Sequence, residues 1–406
     1  MSLPYASKPP SLYASALPVS ARLNELTLLK NIPASATIEL TRRCPLACAH
    51  CYLPETGGRA SAGGELSTGA WKTVLGQLAE AGGLYAVFTG GEPLLRPDLP
   101  ELCAYAKRLK FDVRVFSSGL GLTKTIAGQL GGSGVSAFEL SVYGRAAVHD
   151  AVTGLKGSFT KTLAASMLLK KAGIKVRLKV PLMKVNFGER AWLERLAEQH
   201  GFGIAFDPVI APGNDGDRSN LALRLNAAQL ARLAQEQRST GAQEHRNTGA
   251  QGHRNTGAQE HRGTGTQGHR STGAQEHRGT SASAPASNLP TIHASTPPAI
   301  HASSLDFLCG AGRNVAAVDP CGNLYPCLQM PVPLGNLLET PFGKLWRTAA
   351  WLKKWRAIKT GDLTGCRSCR RLAVCNRCPG ISLIEEGSPL VPNTPACAMA
   401  KARDLL

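Results

Sequence analysis

From Ala36 to about Pro208 short apolar runs alternate with helical patterns, and no other feature constrains this chain's fold as much. Candidate strands are Thr37–Leu40, Ala86–Thr89, Val113–Ser117, Ala137–Ser141, Val176–Pro181 and Ile204–Asp207. Between them lie helical stretches near Thr68–Glu80, Pro97–Lys110, Lys124–Leu130, Ser158–Lys171 and Glu189–His200. Gly82, Gly131, Gly173 and Gly201 stand where helix C-caps are expected. Strands separated by helix-length crossovers pair in parallel, so the pattern predicts an α/β fold of six successive units on one parallel sheet.

With 406 residues and 43% hydrophobic content, the chain can bury a full core and make one large domain and one smaller one. No stretch reaches the roughly eighteen apolar residues of a spanning helix. Pro9, Pro10 and Pro18 interrupt the N-terminus, so it lacks a basic-then-apolar signal and a cytoplasmic location is expected. The net charge of +18 invites a nucleic-acid reading. Lys and Arg are scattered, however, with no nucleic-acid-binding motif spacing, which argues against that partner and leaves an acidic one, such as a peptide, as a use for the charge.

A helix near Asn226–Glu236 closes the core, and from Arg238 to Arg278 an octapeptide close to R-S/N-T-G-A-Q-E-H recurs five times before a Ser, Ala and Pro-rich tract to about Ser304. So few apolar residues cannot offset the entropy of ordering, and disorder is expected there. His245, His253, His261, His269 and His277 recur with the unit and are read as products of tandem expansion rather than as a metal site. The resulting division is an N-terminal extension 1–35, a core 36–225, its closing helix 226–237, the insert 238–304 and a cysteine-rich module 305–406. Punctuated by Gly and Pro and short of apolar runs, that module is expected to owe its fold to metal rather than to a core.

Twelve cysteines are hard to explain as disulfides in a reducing compartment. Cys44, Cys48 and Cys51 fall within eight residues, eight more lie between Cys309 and Cys397, and Cys103 stands alone in a helical stretch as a bland buried thiol. Cys44-Pro-Leu-Ala-Cys48-Ala-His-Cys51 follows the first strand directly, at the strand end where barrel folds place their chemistry. Three thiolates there can ligate three irons of a cubane and leave the fourth iron open. A zinc site completed by His50 or a distant cysteine is the alternative. Thr89-Gly90-Gly91-Glu92-Pro93 ends the second strand on the same rim, with glycines that allow close backbone approach to a ligand and an acid that can receive an ammonium group.

Cys-x3-Cys-x2-Cys followed by Gly-Gly-Glu-Pro after the next strand resembles the radical S-adenosylmethionine (SAM) superfamily. That resemblance implies a partial (β/α)6 TIM-type barrel in which Cys44, Cys48 and Cys51 bind a 4Fe-4S cluster and its open iron chelates S-adenosyl-L-methionine. It further implies that Gly90, Gly91 and Glu92 grip the amino group and that His50 lies against the adenine. Ser117 and Ser118 occupy the usual Thr-Asn-Gly place, and Ser141 the place of a ribose or carboxylate contact. Thr153 stands where many relatives carry an arginine, and His149 and Asp150 read as a solvated loop pair.

Cys309, Gly322-x4-Cys327, Cys366-x2-Cys369-x5-Cys375-x2-Cys378 and Cys397 resemble the SPASM extension, which carries auxiliary iron-sulfur clusters. Two Cys-x2-Cys pairs also suit a zinc ribbon, although five residues between them is short for one. By the SPASM resemblance, Cys309, Cys327 and Cys378 hold one auxiliary 4Fe-4S cluster, with Cys321 as its fourth ligand, and Cys366, Cys369, Cys375 and Cys397 hold another. The spacing of Cys375 to Cys378 is one residue short of the common family form.

Ser141-Val-Tyr-Gly, His149-Asp-Ala-Val-Thr-Gly and Cys378-Pro-Gly are most similar to SPASM proteins grouped with enzymes that modify the PQQ-precursor peptide. The resemblance implies an oxygen-sensitive enzyme, a flavodoxin or ferredoxin-type reductant, a peptide or protein substrate and a separate leader-binding protein. Anaerobic sulfatase maturation fits less well, because Leu328 follows Cys327 where those relatives place an aspartate. The runner-up is decarboxylation of a porphyrin propionate in heme synthesis. A zinc or electron-carrier protein without catalysis is the alternative of another class.

Overall fold

The computed structural model describes residues 19–53, 64–236, 307–372 and 375–404. The insert expected over 238–304 lies outside these residues, as does most of the N-terminal extension.

Nine strands form one sheet in the order β6-β5-β4-β3-β2-β1-β7-β8-β9. They are β1 (Ser35–Thr41), β2 (Tyr85–Gly90), β3 (Asp112–Ser117), β4 (Ala137–Ser141), β5 (Lys175–Pro181), β6 (Gly203–Asp207), β7 (Val315–Val318), β8 (Asn323–Tyr325) and β9 (Gly335–Asn336). The first six pair in parallel with helical crossovers, as their alternation in the sequence requires.

Alternation along each strand separates two faces. Ile38, Leu40, Phe88, Val115, Phe138, Leu140 and Leu178 pack into the main core with Trp71, Leu75, Leu102, Leu130 and Leu169 of the covering helices. Burying such a side chain contributes about 1.5–3 kcal/mol, which makes this face the main source of cohesion. The opposite face carries Glu39, Thr89, Arg114, Phe116, Glu139, Arg177, Lys179 and Asp207, so the interior of the partial barrel is polar. Register places Glu39 beside Thr89 and Glu139 between Phe116 and Arg177.

The helix Thr68–Glu80 starts where Ser67 Oγ accepts from the Ala70 amide at 3.2 Å, and Lys124–Gly132 where Thr123 Oγ1 accepts from Ile126 at 3.2 Å. Gly201 takes the left-handed C-cap with φ +61°. Gly131 is not a cap, because that helix continues through Gly132 and ends at Ser133. Ala146–Thr153 is helical, which corrects the reading of His149 and Asp150 as a solvated loop pair. His149 is 1% exposed, and Asp150 instead organises the next helix by accepting from Gly157 N (2.6 Å), Ser158 Oγ (2.9 Å) and Phe159 N (2.9 Å).

The larger correction concerns the C-terminal module. Its first strand β7 pairs in parallel with β1, Ile38 beside Val318, so the module continues the barrel sheet and β8 and β9 extend it antiparallel. Ala316, Val318, Leu324, Leu337, Phe342, Trp346 and Leu352 join the main core. This half of the module is therefore held by apolar packing rather than by metal alone. Among the described residues no helix is long and apolar enough to cross a membrane.

Candidate active site

β1 delivers the first thiol loop to the C-terminal rim of the sheet. Cys44 and Cys48 are half-buried and Cys51 is exposed, and the ionised forms of the three disfavour one another. Burial pushes Cys44 up to about 11 and Cys48 up to about 12, so these thiols hold their protons until something replaces them. The loop is pinned from below by Ala47 N and Ala49 N, which donate to Thr153 O (3.0 Å) and Val152 O (2.9 Å). Thr153 itself is buried, with its hydroxyl committed to His149 O and Ser158 Oγ, so it does not present a group to the rim.

Gly90 and Gly91 are required by the protein's own packing. A Cβ on Gly90, whose φ is +131°, would stand 2.2 Å from Thr41 O, and one on Gly91 would stand 2.2 Å from Arg43 O. The backbone thus closes against the stem of the cysteine loop, joined by Gly91 N to Thr41 O (2.7 Å) and Glu92 N to Arg43 O (2.8 Å).

Glu92 differs from expectation in the same way. Its carboxylate is fully buried and accepts from Leu94 N (3.0 Å), Ser117 Oγ (2.7 Å), Ser118 N (2.8 Å) and Ser118 Oγ. Four donors saturate its lone pairs, so it organises the rim instead of offering a free acid to an ammonium. Burial raises its pKa despite those donors. Ser117 and Ser118 are correspondingly turned towards Glu92, and Gly119, with φ +80°, packs its α-carbon against the helix Ser158–Lys171, where a Cβ would meet Ala165 Cβ at 2.8 Å.

His50 sits edge-on to Tyr143, ring centroids 5.0 Å apart, with its Nε2 3.4 Å from the Tyr143 hydroxyl. Burial lowers its pKa to about 4, which leaves a neutral imidazole, and its Nδ1 is buried without a partner. Such an orphaned ring nitrogen is a feature a bound group can satisfy. Ser141, at the end of β4, interacts with the same tyrosine.

One pair escaped the sequence reading. Tyr52 Oη donates to Glu39 Oε1 at 2.7 Å inside the barrel, directly behind Cys51. Glu39 is 5% exposed, and burial lifts its pKa to about 7 against the opposing pull of Tyr52 and Arg42. The alternation of β1 placed Glu39 on the inner face, which was the available signal.

The remaining thiols fall into two groups. Cys309, Cys327 and Cys378 are brought together and act on one another's ionisation, and burial holds Cys309 up to about 12. Cys366, Cys369, Cys375 and Cys397 form the other set. Cys321 is placed apart, in the turn between β7 and β8, where Asp319, Arg42 and Glu65 are its charged neighbours. Asp319 holds that turn by accepting from Cys321 N (2.9 Å), Asn323 N (2.9 Å) and Asn323 Nδ2 (2.9 Å). Cys103 is fully buried in the main core.

Among the described residues no three His, Cys, Asp or Glu side chains converge as ligands of a single ion. A cubane does not need such convergence, since each thiolate takes its own iron, and the sets of three, three and four thiols suit that chemistry. A cavity of about 300 Å³ lies further round the barrel, lined by Glu139, Arg177, Lys179, Asp207, Asn376 and Arg403 among others.

The Radical SAM superfamily model matches residues 38–196, and the SPASM iron-sulfur cluster-binding domain matches residues 309–379. The chain is a radical SAM protein with a SPASM domain. The two domains imply 4Fe-4S clusters and S-adenosylmethionine as cofactors. The PqqA peptide cyclase of Gluconobacter oxydans is 33% identical over 217 residues, 52% of this chain and 60% of that protein. This radical SAM chain thus spans little more than half the length of the curated cyclases it matches. The AdoMet-dependent heme synthase of Methanosarcina barkeri is 26% identical over 352 residues, 86% of this chain and 92% of that protein. Streptococcus suis SuiB bound to S-adenosylmethionine superposes with a TM-score of 0.61 at 16% identity, covering 93% of this chain and 78% of that one, which establishes the shared fold.

Proposed function

We propose that the protein is an enzyme in which Cys44, Cys48 and Cys51 hold a 4Fe-4S cluster that cleaves S-adenosylmethionine, for hydrogen abstraction from a peptide or protein side chain. The observation that carries this reading is the sorting of ten thiols into three sets, the first of them on the β1 rim against Gly90-Gly91-Glu92. When bound, cluster and SAM supply a 5′-deoxyadenosyl radical; the protein binds, orients and shields. Gly90 and Gly91 bring the rim backbone to the cysteine loop, where a SAM amino group finds carbonyl acceptors. Glu92 fixes that backbone through Ser117 and Ser118. The unpartnered Nδ1 edge of His50 would lie against the adenine, and Ser141 would contact the ribose or the carboxylate.

We assign the core to 36–225 and the auxiliary module to 305–406, with Cys309, Cys327 and Cys378 and the set Cys366, Cys369, Cys375 and Cys397 as auxiliary cluster ligands. A peptide substrate is supported by the likeness to PqqA peptide cyclases. A separate leader-binding protein, a flavodoxin or ferredoxin-type reductant and a cytoplasmic setting complete the proposal.

The long match to a heme synthase favours decarboxylation of a porphyrin propionate as the second reading. The test is anaerobic reconstitution with iron and sulfide, then addition of dithionite and SAM. Roughly eight to twelve irons per chain together with 5′-deoxyadenosine are expected for two or three cubanes. Bound zinc without SAM cleavage would sink the proposal, and product formation from a porphyrin rather than a peptide would select the second reading.

A further inference from the structure

The segment that follows β6, residues 208–226, crosses from the barrel to the C-terminal module and touches both thiol loops on the way. Asn214 makes the contact at each end. Its main-chain N–H donates to Tyr52 O at 2.9 Å, one residue beyond Cys51, and its side-chain Nδ2 donates to Leu328 O at 3.3 Å, one residue beyond Cys327. A single residue therefore joins the stem of the first thiol set to that of the second through two hydrogen bonds.

The rest of the segment is built to hold Asn214 still. Asn220, 6% exposed, donates to Ala211 O at 2.8 Å and approaches His50 O and Cys51 O at 3.5 Å. Gly213 N donates to Asp217 O at 2.8 Å and closes the turn around Asn214. Arg218 reaches Ile384 O at 3.2 Å, and Arg224 pairs with Glu385, both partners lying on the helix Pro379–Glu386 that begins directly after Cys378. Arg224 also donates to Ile210 O at 2.9 and 2.7 Å. Three of the cysteine-bearing segments, at Cys51, Cys327 and Cys378, are thus tied to one short segment. The amide oxygens of Asn214 and Asn220 are buried without partners, so these side chains are held by what they donate. Leaving such acceptors unmatched is costly, and the segment retains them nonetheless.

We propose that Asn214 is a positioning residue that fixes the separation of the two thiol sites. The proposal rests on the reading of Cys44, Cys48 and Cys51 and of Cys309, Cys327 and Cys378 as cluster ligands, but its geometric content belongs to the protein alone. Tyr52 O and Leu328 O are each one peptide unit from a ligand thiol, so movement of either carbonyl moves that thiol.

The experiment uses the full chain in two states. In the metal-free, reduced protein, amide hydrogen exchange is followed in peptides covering 48–53, 208–226 and 327–331. Asn214→Ala is expected to accelerate exchange in 208–226 and 327–331 by about tenfold, the factor for one lost buried hydrogen bond. Asn214→Asp keeps the volume and, like Asn214→Ala, the main-chain bond to Tyr52 while losing the Nδ2 donor to Leu328 O, so its acceleration is expected in 327–331 with 48–53 unchanged.

In the reconstituted, dithionite-reduced protein, Asn214→Ala is expected to keep the wild-type iron content while the magnetic interaction between reduced clusters, read by EPR relaxation, changes. Wild-type exchange in both variants, or loosened exchange with an unaltered EPR interaction, overturns the proposal. A chain that takes up no iron refutes the cluster assignment instead, and hydrogen exchange in the metal-free protein still tests the Asn214 tie independently.

Discussion

Glu39→Gln tests whether the interior of the barrel carries a buried acid as the structure describes. Burial is the largest influence on Glu39, and it outweighs the Tyr52 hydrogen bond and the charge of Arg42, so the pKa rises from 4.5 to about 7. A difference of that size is worth about 3 kcal/mol between protonation states. Because the native state holds this proton more tightly than the unfolded chain does, stability falls as pH rises through the window from 4.5 to about 7, and the full penalty stands above it. Glutamine mimics the protonated carboxyl and keeps an acceptor for Tyr52 Oη, so the two proteins should match near pH 4.5 and separate by about 3 kcal/mol, in favour of the variant, by pH 8.

The assay is urea denaturation of the metal-free, reduced chain at a series of pH values. His50 and His149, both lowered to about 4 by burial, oppose this trend by losing stability as pH falls below the ordinary histidine range. They are common to both proteins and cancel in the difference. Parallel stability curves for wild type and variant across this window would refute the account of Glu39.

Cys48→Ala is expected to abolish SAM cleavage, whereas Cys369→Ala retains uncoupled cleavage; equal residual 5′-deoxyadenosine from both would contradict the division between first and auxiliary sites. Gly380→Ala brings a Cβ to 1.9 Å from Gln329 O, a backbone atom. The segments after Cys378 and Cys327 must then part, with a loss of about 1–3 kcal/mol read by thermal melting, and an unchanged melting temperature would show that this contact can relax. Glu92→Gln replaces an acceptor saturated by four donors with a group that brings N–H bonds of its own. SAM binding should weaken by about tenfold or more at unchanged iron content, and wild-type SAM affinity would remove Glu92 from the organisation of the rim.

Much of the barrel was legible because its strands follow the period of two. In β5, Val176, Leu178 and Val180 face the helices while Lys175, Arg177 and Lys179 face the other way. The same alternation announced a polar interior, although it does not say which polar side chains meet, and so the Tyr52–Glu39 pair stayed hidden. The helix Ala146–Thr153 was missed because His149 and Asp150 read as a solvated loop pair; burial of His149 and the capping work of Asp150 become visible only in three dimensions. β7 to β9 were missed for another reason. Val-Ala-Ala-Val is a short run among glycines, prolines and cysteines, and its strand character depends on β1, far away in sequence, offering an unpaired edge.

The pairing of β7 with β1 also explains why the thiol loops can be held in one frame. β1 carries Cys44, Cys48 and Cys51 at its C-terminal end, and β7 begins the hairpin that ends at Cys327, so two loops separated widely in sequence start from neighbouring strands of one rigid sheet. Packing of Val318 and Leu324 in the main core gives that frame its stiffness. The sheet sets the two loops roughly side by side, and the segment after β6 then ties the residues just after Cys51 and Cys327 together through Asn214. Apolar packing of β7 to β9 and of the helices Phe342–Thr348 and Ala350–Ala357 therefore predicts that this half of the module stays folded without metal. Limited proteolysis of the metal-free chain should leave 315–357 protected while cleaving within 364–378, and equal susceptibility of both stretches would show that metal is needed to fold the entire module.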